Sequence, residues 1–267
     1  MKIDFAIVGA QKAGTSALRA YLSQHPDIFM PIKEPEFFQK NAKISVEEHN
    51  KLFEDANENQ LLGEKTPSYM YDKFNPKLLF NNNSKMKIIV LVRNPIKRAF
   101  SEYKMIYGVK NVDDPFEEVI KKKTNIIEKG KYSKYIKRYY KYFPKEQVKV
   151  IISERLRKER KEVIKETFAF LGVDSSYVPK DLKEKNIGIY KTNKLTRILL
   201  YLHFKLIGNT NNKCIKKICE MVRNTLSGER EEDKLNEMKN IFEKNNKELN
   251  NMIEKDLDAW WKRSEKR

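Results

Sequence analysis

The stretch Phe5–Ser16, FAIVGAQKAGTS, decides the fold. It begins as an apolar run, turns through a loop bracketed by Gly9 and Gly14, and passes into a helix start at Thr15 and Ser16. Apolar runs of this kind form parallel strands buried on both faces. The two glycines have the spacing of the phosphate-binding loop G-x-x-x-x-G-K-[ST]. The residue after Gly14 is nevertheless Thr15, and the lysine lies inside the loop at Lys12. A strand that feeds such a loop into a helix aims backbone N–H groups and the positive end of the helix dipole at one point. Thr15 and Ser16 add hydroxyl donors there, and Lys12 adds a charge. The loop suits a phosphate, but not in the arrangement that handles a nucleoside triphosphate with magnesium. The plain alternative is a simple β–α turn with an incidental lysine.

Outward from this loop, Phe5–Val8, Leu61–Glu64, Lys87–Val92 and Val148–Ser153 read as strands. Helical patterns fall at Thr15–Gln24, Pro95–Tyr107, Phe116–Glu128, Ser133–Phe143 and Glu154–Leu171, with a long charged helix from about Glu231 to Leu257. Proline near the first turn and glycine just past the end punctuate several of them. Asn81–Asn83 reads as a polar turn. Strands alternating with helices predict an α/β fold: a P-loop-like, doubly wound central parallel sheet flanked by helices, with a helical C-terminal region. Residues 1–267 read as a single domain, in which 186–227 form a basic, mostly helical accessory region.

The chain has 267 residues, 40% of them hydrophobic, enough for a proper core. Its formal net charge of +18 suits anionic partners such as nucleotides, acidic glycans, nucleic acid or membrane surfaces. The bland alternative is lysine scattered over solvated faces. Cys214 and Cys219 have neither a zinc nor a disulfide spacing, so a reducing, cytoplasmic setting is the expectation. No signal peptide is expected, because the first core strand starts by about Phe5. No run approaches the roughly 20 apolar residues that span a bilayer. The apolar stretch Leu195–Ile207 is broken by Arg197, His203 and Lys205, and reads as a packed helix, with peripheral membrane contact as the lesser alternative.

Three further pieces carry chemistry. Lys87–Tyr103, KIIVLVRNPIKRAFSEY, is a strand ending in Arg93, where a P-loop NTPase has a magnesium-holding aspartate. An arginine there would clash with a metal but would grip a phosphate bidentately. Ser101 follows on the next helix and can face the same crevice. Alternatively, Arg98 and Glu102 form a helix-surface ion pair and Ser101 is a bystander. Pro31–Phe38, PIKEPEFF, places Glu34 between prolines, where a carboxylate can act as a general base. Glu36 is a rival, and residue chemistry alone favours two solvated glutamates with Phe37 and Phe38 as core anchors. Gly63–Tyr69, GEKTPSY, puts Lys65 at the sheet edge shared by Lys12 and Arg93, where open α/β sheets bind ligands. The alternative is a surface lysine. His25 reads as structural, and His49 and His203 have no partner at catalytic or metal spacing.

Taken in order, VGAQKAGTSAL, HPDIFMPIKEPEFF, GEKTPSY, IIVLVRNPIKRAFSEY and GKYSKYIKRYYKYFPKEQVKVIISERL resemble the sulfotransferases that use 3′-phosphoadenosine 5′-phosphosulfate (PAPS). The likeness is to the carbohydrate branch, the heparan sulfate O- and N-sulfotransferases and their bacterial relatives. It covers about residues 5 to 155, and KDLDAWW resembles the family's closing segment. The resemblance implies that Lys12, Ala13, Gly14, Thr15 and Ser16 form the 5′-phosphosulfate loop. It implies that Arg93 and Ser101 bind the 3′-phosphate, that Glu34 is the base, and that Lys65 lies near the transferring group. Asn186–Lys194 falls where the family closes over its cofactor, but departs from the glycine- and arginine-rich pattern, which makes Lys191 and Lys194 the implied contacts. The implied reaction is metal-free, in-line transfer to an acceptor hydroxyl on a glycan, and the chain's basic charge points to an acidic one. No nucleic-acid partner is implied. The competing readings are a P-loop nucleotide kinase or NTPase, and a non-catalytic polyanion-binding protein.

Overall fold

In a computed structural model, described residues are 1–107, 124–182 and 242–253, with Leu257 and Trp260. All belong to one compact unit that takes in Met1–Lys185 and Phe242–Arg267. The expected accessory region, 186–227, lies outside the described residues, as do Lys191 and Lys194.

Five parallel strands form the centre: β1 (Phe5–Gly9), β2 (Ile28–Phe29), β3 (Leu61–Lys65), β4 (Lys87–Val92) and β5 (Val148–Ile152). Their order across the sheet is β2-β3-β1-β4-β5. From β1 the chain goes to the edge strand β2, returns to β3 beside β1, then crosses β1 to β4 and β5 on the other side. This reversal puts a crevice at the carboxyl end of β1, where doubly wound sheets bind ligands. All of β1 is buried, as is β4 from Ile88 to Val92. Burial on both faces explains why these strands carry unbroken apolar runs.

Around the sheet lie α1 (Thr15–Leu22), α2 (Val46–Lys51), α3 (Asn75–Asn82), α4 (Pro95–Tyr107), α5 (Thr124–Glu128), α6 (Tyr132–Tyr139), α7 (Ser153–Lys158) and α8 (Arg160–Leu171). Residues 242–253 form a further helix, α9, inside the region expected as a long C-terminal helix. The helix expected over Glu154–Leu171 is two helices, because the backbone at Glu159 leaves helical geometry (φ −119, ψ 49). The asparagines expected as a turn instead end α3 and tie down the chain's start: Asn82 accepts from the Ile3 N–H at 2.9 Å, and Asn83 donates to the Ile3 carbonyl at 2.9 Å.

Gly9 leaves no room for a side chain. A Cβ there would fall 2.6 Å from Cβ of Met70. Gly9→Ala is therefore expected to destabilise the fold by about 2 kcal/mol through overpacking. Thermal unfolding should show a Tm lowered by roughly 4–8 °C.

Candidate active site

The loop after β1 is held in shape by side chains from other elements. The Gln11 N–H donates to the Tyr71 hydroxyl at 3.1 Å, and the Ala10 N–H donates to the Leu91 carbonyl at 2.7 Å. Lys129 donates to the Gln11 side chain at 2.8 Å. Lys12 adopts a left-handed conformation (φ 68), which is uncommon for a residue with a Cβ. Its carbonyl accepts from Nη1 of Arg93 at 2.9 Å. Gly14, also left-handed (φ 98), then starts α1 with no side-chain cap and no acidic residue in the first turn. A helix start of this kind presents N–H groups and a positive dipole end to an anion.

Two cations converge on this point. Lys12 is half-buried, and burial, then the nearby Arg93, push its ammonium below the usual lysine range. Arg93 is likewise lowered, first by burial and then by Arg157. Its Nε is buried and, among the described residues, has no hydrogen-bond partner. Each cation is thus held where its charge is disfavoured, which an incoming anion would relieve. A phosphate fits these groups.

The pieces that lay apart in the sequence meet at Lys65. Its almost wholly buried ammonium donates to Oε1 of Glu34 and, at 3.2 Å, to Oγ of Ser16. A side chain on β3 therefore bridges the Glu34 loop and the phosphate loop. Glu34 itself is 41% exposed, so a substrate can approach it from solvent. Ala13 and Thr15 are buried, while Ser16 and Ser101 are half-buried, the last on α4. Glu36 is exposed and left-handed (φ 52); its N–H donates to Oγ1 of Thr66 at 3.3 Å.

Two side-chain pairings differ from expectation. Arg98 and Glu102 do form an i,i+4 pair, but Arg98 is fully buried and the pair is not at the surface. Arg98 donates to Glu102 at 2.5 Å and to the Ile126 carbonyl, and Lys129 donates to the other Glu102 oxygen at 2.5 Å. Burial alone would raise the Glu102 carboxyl. Arg98 and Lys129 outweigh it and hold the group below the usual carboxylate range. His49 has a partner after all: its Nε2 lies 3.1 Å from Oε2 of Glu64, both buried. Phe37 stacks on His49 at 4.2 Å, and the Phe38 N–H donates to the Tyr69 hydroxyl at 2.9 Å, so this buried group is the floor of the Glu34 loop. Burial pushes the Glu64 carboxyl up. His25 is an interior residue: the Asp27 N–H donates to Nδ1, and Nε2 meets the Asp174 carbonyl at 3.0 Å.

Removing the buried guanidinium tests the first pairing. Arg98→Met leaves Glu102 with Lys129 alone and should cost about 3 kcal/mol in chemical unfolding. Because the folded-state Glu102 carboxyl is depressed, its contribution is present above the unfolded value, about 4.3, and is lost as pH falls through the folded one. The wild-type chain should therefore lose stability on acidification below that value more steeply than the variant.

The sulfotransferase domain family matches residues 2–260. The chain belongs to the sulfotransferase family. Among curated sulfotransferases, it is 29% identical over 176 residues to heparan sulfate glucosamine 3-O-sulfotransferase 3A1 of Mus musculus, covering 62% of this chain and 45% of the relative. It is 30% identical over 159 residues to the human 3B1 enzyme of that name, covering 56% and 41%. The chain spans about half the length of the curated relatives it matches. The crystal structure of a sulfotransferase from Alicyclobacillus acidocaldarius aligns with a TM-score of 0.71 at 25% identity, covering 98% of this chain and 100% of the other. A sulfotransferase domain from the curacin biosynthetic pathway shares the fold, with a TM-score of 0.52 and 17% identity.

The sequence did not reveal the residues that brace the candidate site. Tyr71 and Lys129 lie 60 and 118 positions beyond Gln11 and in none of the quoted motifs, and Tyr132 lies in GKYSKYIKRYYKYFPKEQVKVIISERL, which gave it no role. The Tyr132 hydroxyl donates to the Arg93 carbonyl at 2.7 Å. The signal for His49 was its position after a capping box, in which Ser45 accepts from the Glu48 N–H and Glu48 from the Ser45 N–H. That motif predicts α2, and α2 carries His49 towards β3.

Proposed function

We propose that the chain transfers a sulfuryl group from PAPS to the hydroxyl of a carbohydrate acceptor. The observation that carries this reading is Lys65, which touches both the exposed carboxylate Glu34 and the phosphate-loop hydroxyl Ser16. When bound, PAPS supplies an activated sulfuryl group on a 5′-phosphate. Lys12, the amides of Ala13–Ser16 and the α1 start face negative charge on that phosphate. Arg93 and Ser101 take the 3′-phosphate, and Lys191 and Lys194 belong to the same reading although they lie outside the described residues. Glu34 accepts the proton of the acceptor hydroxyl. Lys65 holds Glu34 in place and gives up that contact as charge develops beside Ser16. Each role is performed by side-chain and backbone groups, and none calls for a metal ion.

The glycan acceptor is supported by the names of the curated relatives and by the chain's net charge of +18, which suits an acidic polymer. The cytoplasmic setting rests on the cysteine pair, which lacks a disulfide spacing. Among the described residues no helix is long and apolar enough to cross a membrane. The test is incubation with radiolabelled PAPS and a panel of acidic glycan, lipid-linked and phenolic acceptors. Label on a glycan is expected. Label on phenols alone would overturn the carbohydrate acceptor, and no label on any acceptor, with no binding of 3′-phosphoadenosine 5′-phosphate (PAP), would overturn the reading as a whole.

A further inference from the structure

Arg93 is flanked by a closed set of hydrogen bonds whose last member comes from near the end of the chain. The Asn94 N–H donates to Oε1 of Glu154 at 3.0 Å. The Asn94 side chain donates to the Trp260 carbonyl at 2.7 Å. The Trp260 indole N–H donates to the other Glu154 oxygen, Oε2, at 3.1 Å. These three bonds join the β4–α4 turn, α7 and Trp260 into one ring. Oδ1 of Asn94 meanwhile accepts from the N–H groups of Ile96 and Lys97, which caps α4. Tyr132, whose hydroxyl holds the Arg93 carbonyl, packs edge-on against Trp260 at 6.4 Å.

Glu154 is the carboxylate whose charge acts on Arg93. Both its oxygens are taken, one by Asn94 and one by Trp260. A carboxylate left with a free oxygen beside a half-buried guanidinium would turn to it, because such pairs are strong and bidentate. It would then compete directly with a phosphate for Arg93.

We propose that Trp260 is a positioning residue for the nucleotide site: its indole N–H keeps Glu154 committed to Asn94 and leaves Arg93 open to a phosphate. This rests on the reading of Arg93 as a phosphate contact. The two faces of Trp260 act together, since the carbonyl fixes Asn94 while the indole occupies Glu154. The segment that resembles the family's close thus controls a residue more than 160 positions earlier in the chain.

The variants Trp260→Phe and Trp260→Phe/Glu154→Gln separate this role from packing. Phenylalanine keeps an aromatic ring in the space but lacks the N–H. Calorimetric titration with PAP, run on the full chain beside thermal unfolding, should show W260F binding about tenfold more weakly. The double variant, which removes the competing charge, should return to within about threefold of wild type. A simple packing defect would not be repaired by neutralising Glu154. Unchanged PAP affinity in W260F, or no recovery in the double variant, overturns the proposal. A wild-type chain that binds no PAP instead overturns the phosphate reading of Arg93 itself.

Discussion

Lys12→Ala is expected to lower sulfuryl transfer about 10³-fold while leaving the fold intact, since removing one preorganised donor from a developing charge costs about that much. The structure gives two reasons for the pairing of large rate loss with small stability loss. Among the described residues the Lys12 ammonium makes no ion pair; it donates to the Met105 sulfur at 3.5 Å. Its charge is disfavoured in the free protein by burial and by Arg93, so deletion relieves the ground state. Its backbone, by contrast, carries the loop, because the Lys12 carbonyl accepts from Arg93. Alanine keeps that carbonyl. The variant should unfold at or slightly above the wild-type temperature and still bind PAP through Arg93 and the α1 start. Steady-state assay with PAPS, with circular dichroism and thermal unfolding alongside, decides it. Turnover within tenfold of wild type would remove Lys12 from the chemistry.

Glu34→Gln is expected to reduce turnover by about 10²–10⁴-fold, the usual contribution of a positioned general base. The amide is nearly isosteric and can still accept from Lys65, so the Glu34 loop should stay over β3. Loop position is in any case fixed lower down, by Phe37 on His49 and by the Phe38 N–H on Tyr69. Affinity for PAP should therefore be unchanged, which separates a chemical defect from a displaced loop. The informative comparison is Glu36→Gln. Glu36 is exposed, and its hydrogen bond to Thr66 uses the backbone N–H, which survives the substitution. If E36Q loses turnover and E34Q does not, the two glutamates exchange roles.

The difference between legible and illegible features follows length and contact range. β1 and β4 were readable because burial on both faces leaves a long apolar run. Ile28–Phe29 was not, because two residues carry no periodicity. α4 was readable from Pro95 onward. The break at Glu159 had no glycine or proline to announce it. At the site, Lys12, Arg93 and Lys65 could be placed at one sheet edge because each ends or follows a strand. Glu34 could be singled out only through family resemblance, since two glutamates in a loop look alike in sequence. The Lys65 bridge between Glu34 and Ser16, the His49–Glu64 floor and the ring through Trp260 join residues 15 to 166 positions apart. No local pattern records such contacts.

The twisted backbone at Lys12 carries a consequence for transplantation. The left-handed turn is unfavourable for a lysine by roughly 1–2 kcal/mol, and the loop keeps it because Arg93, Tyr71 and Lys129 all reach in from outside. A peptide or chimaera that carried Phe5–Ser16 alone would contain every residue of the cradle and little of its shape. An anion arriving at the intact protein meets a loop already ordered, so its affinity is not eroded by the ordering that the free segment would still require.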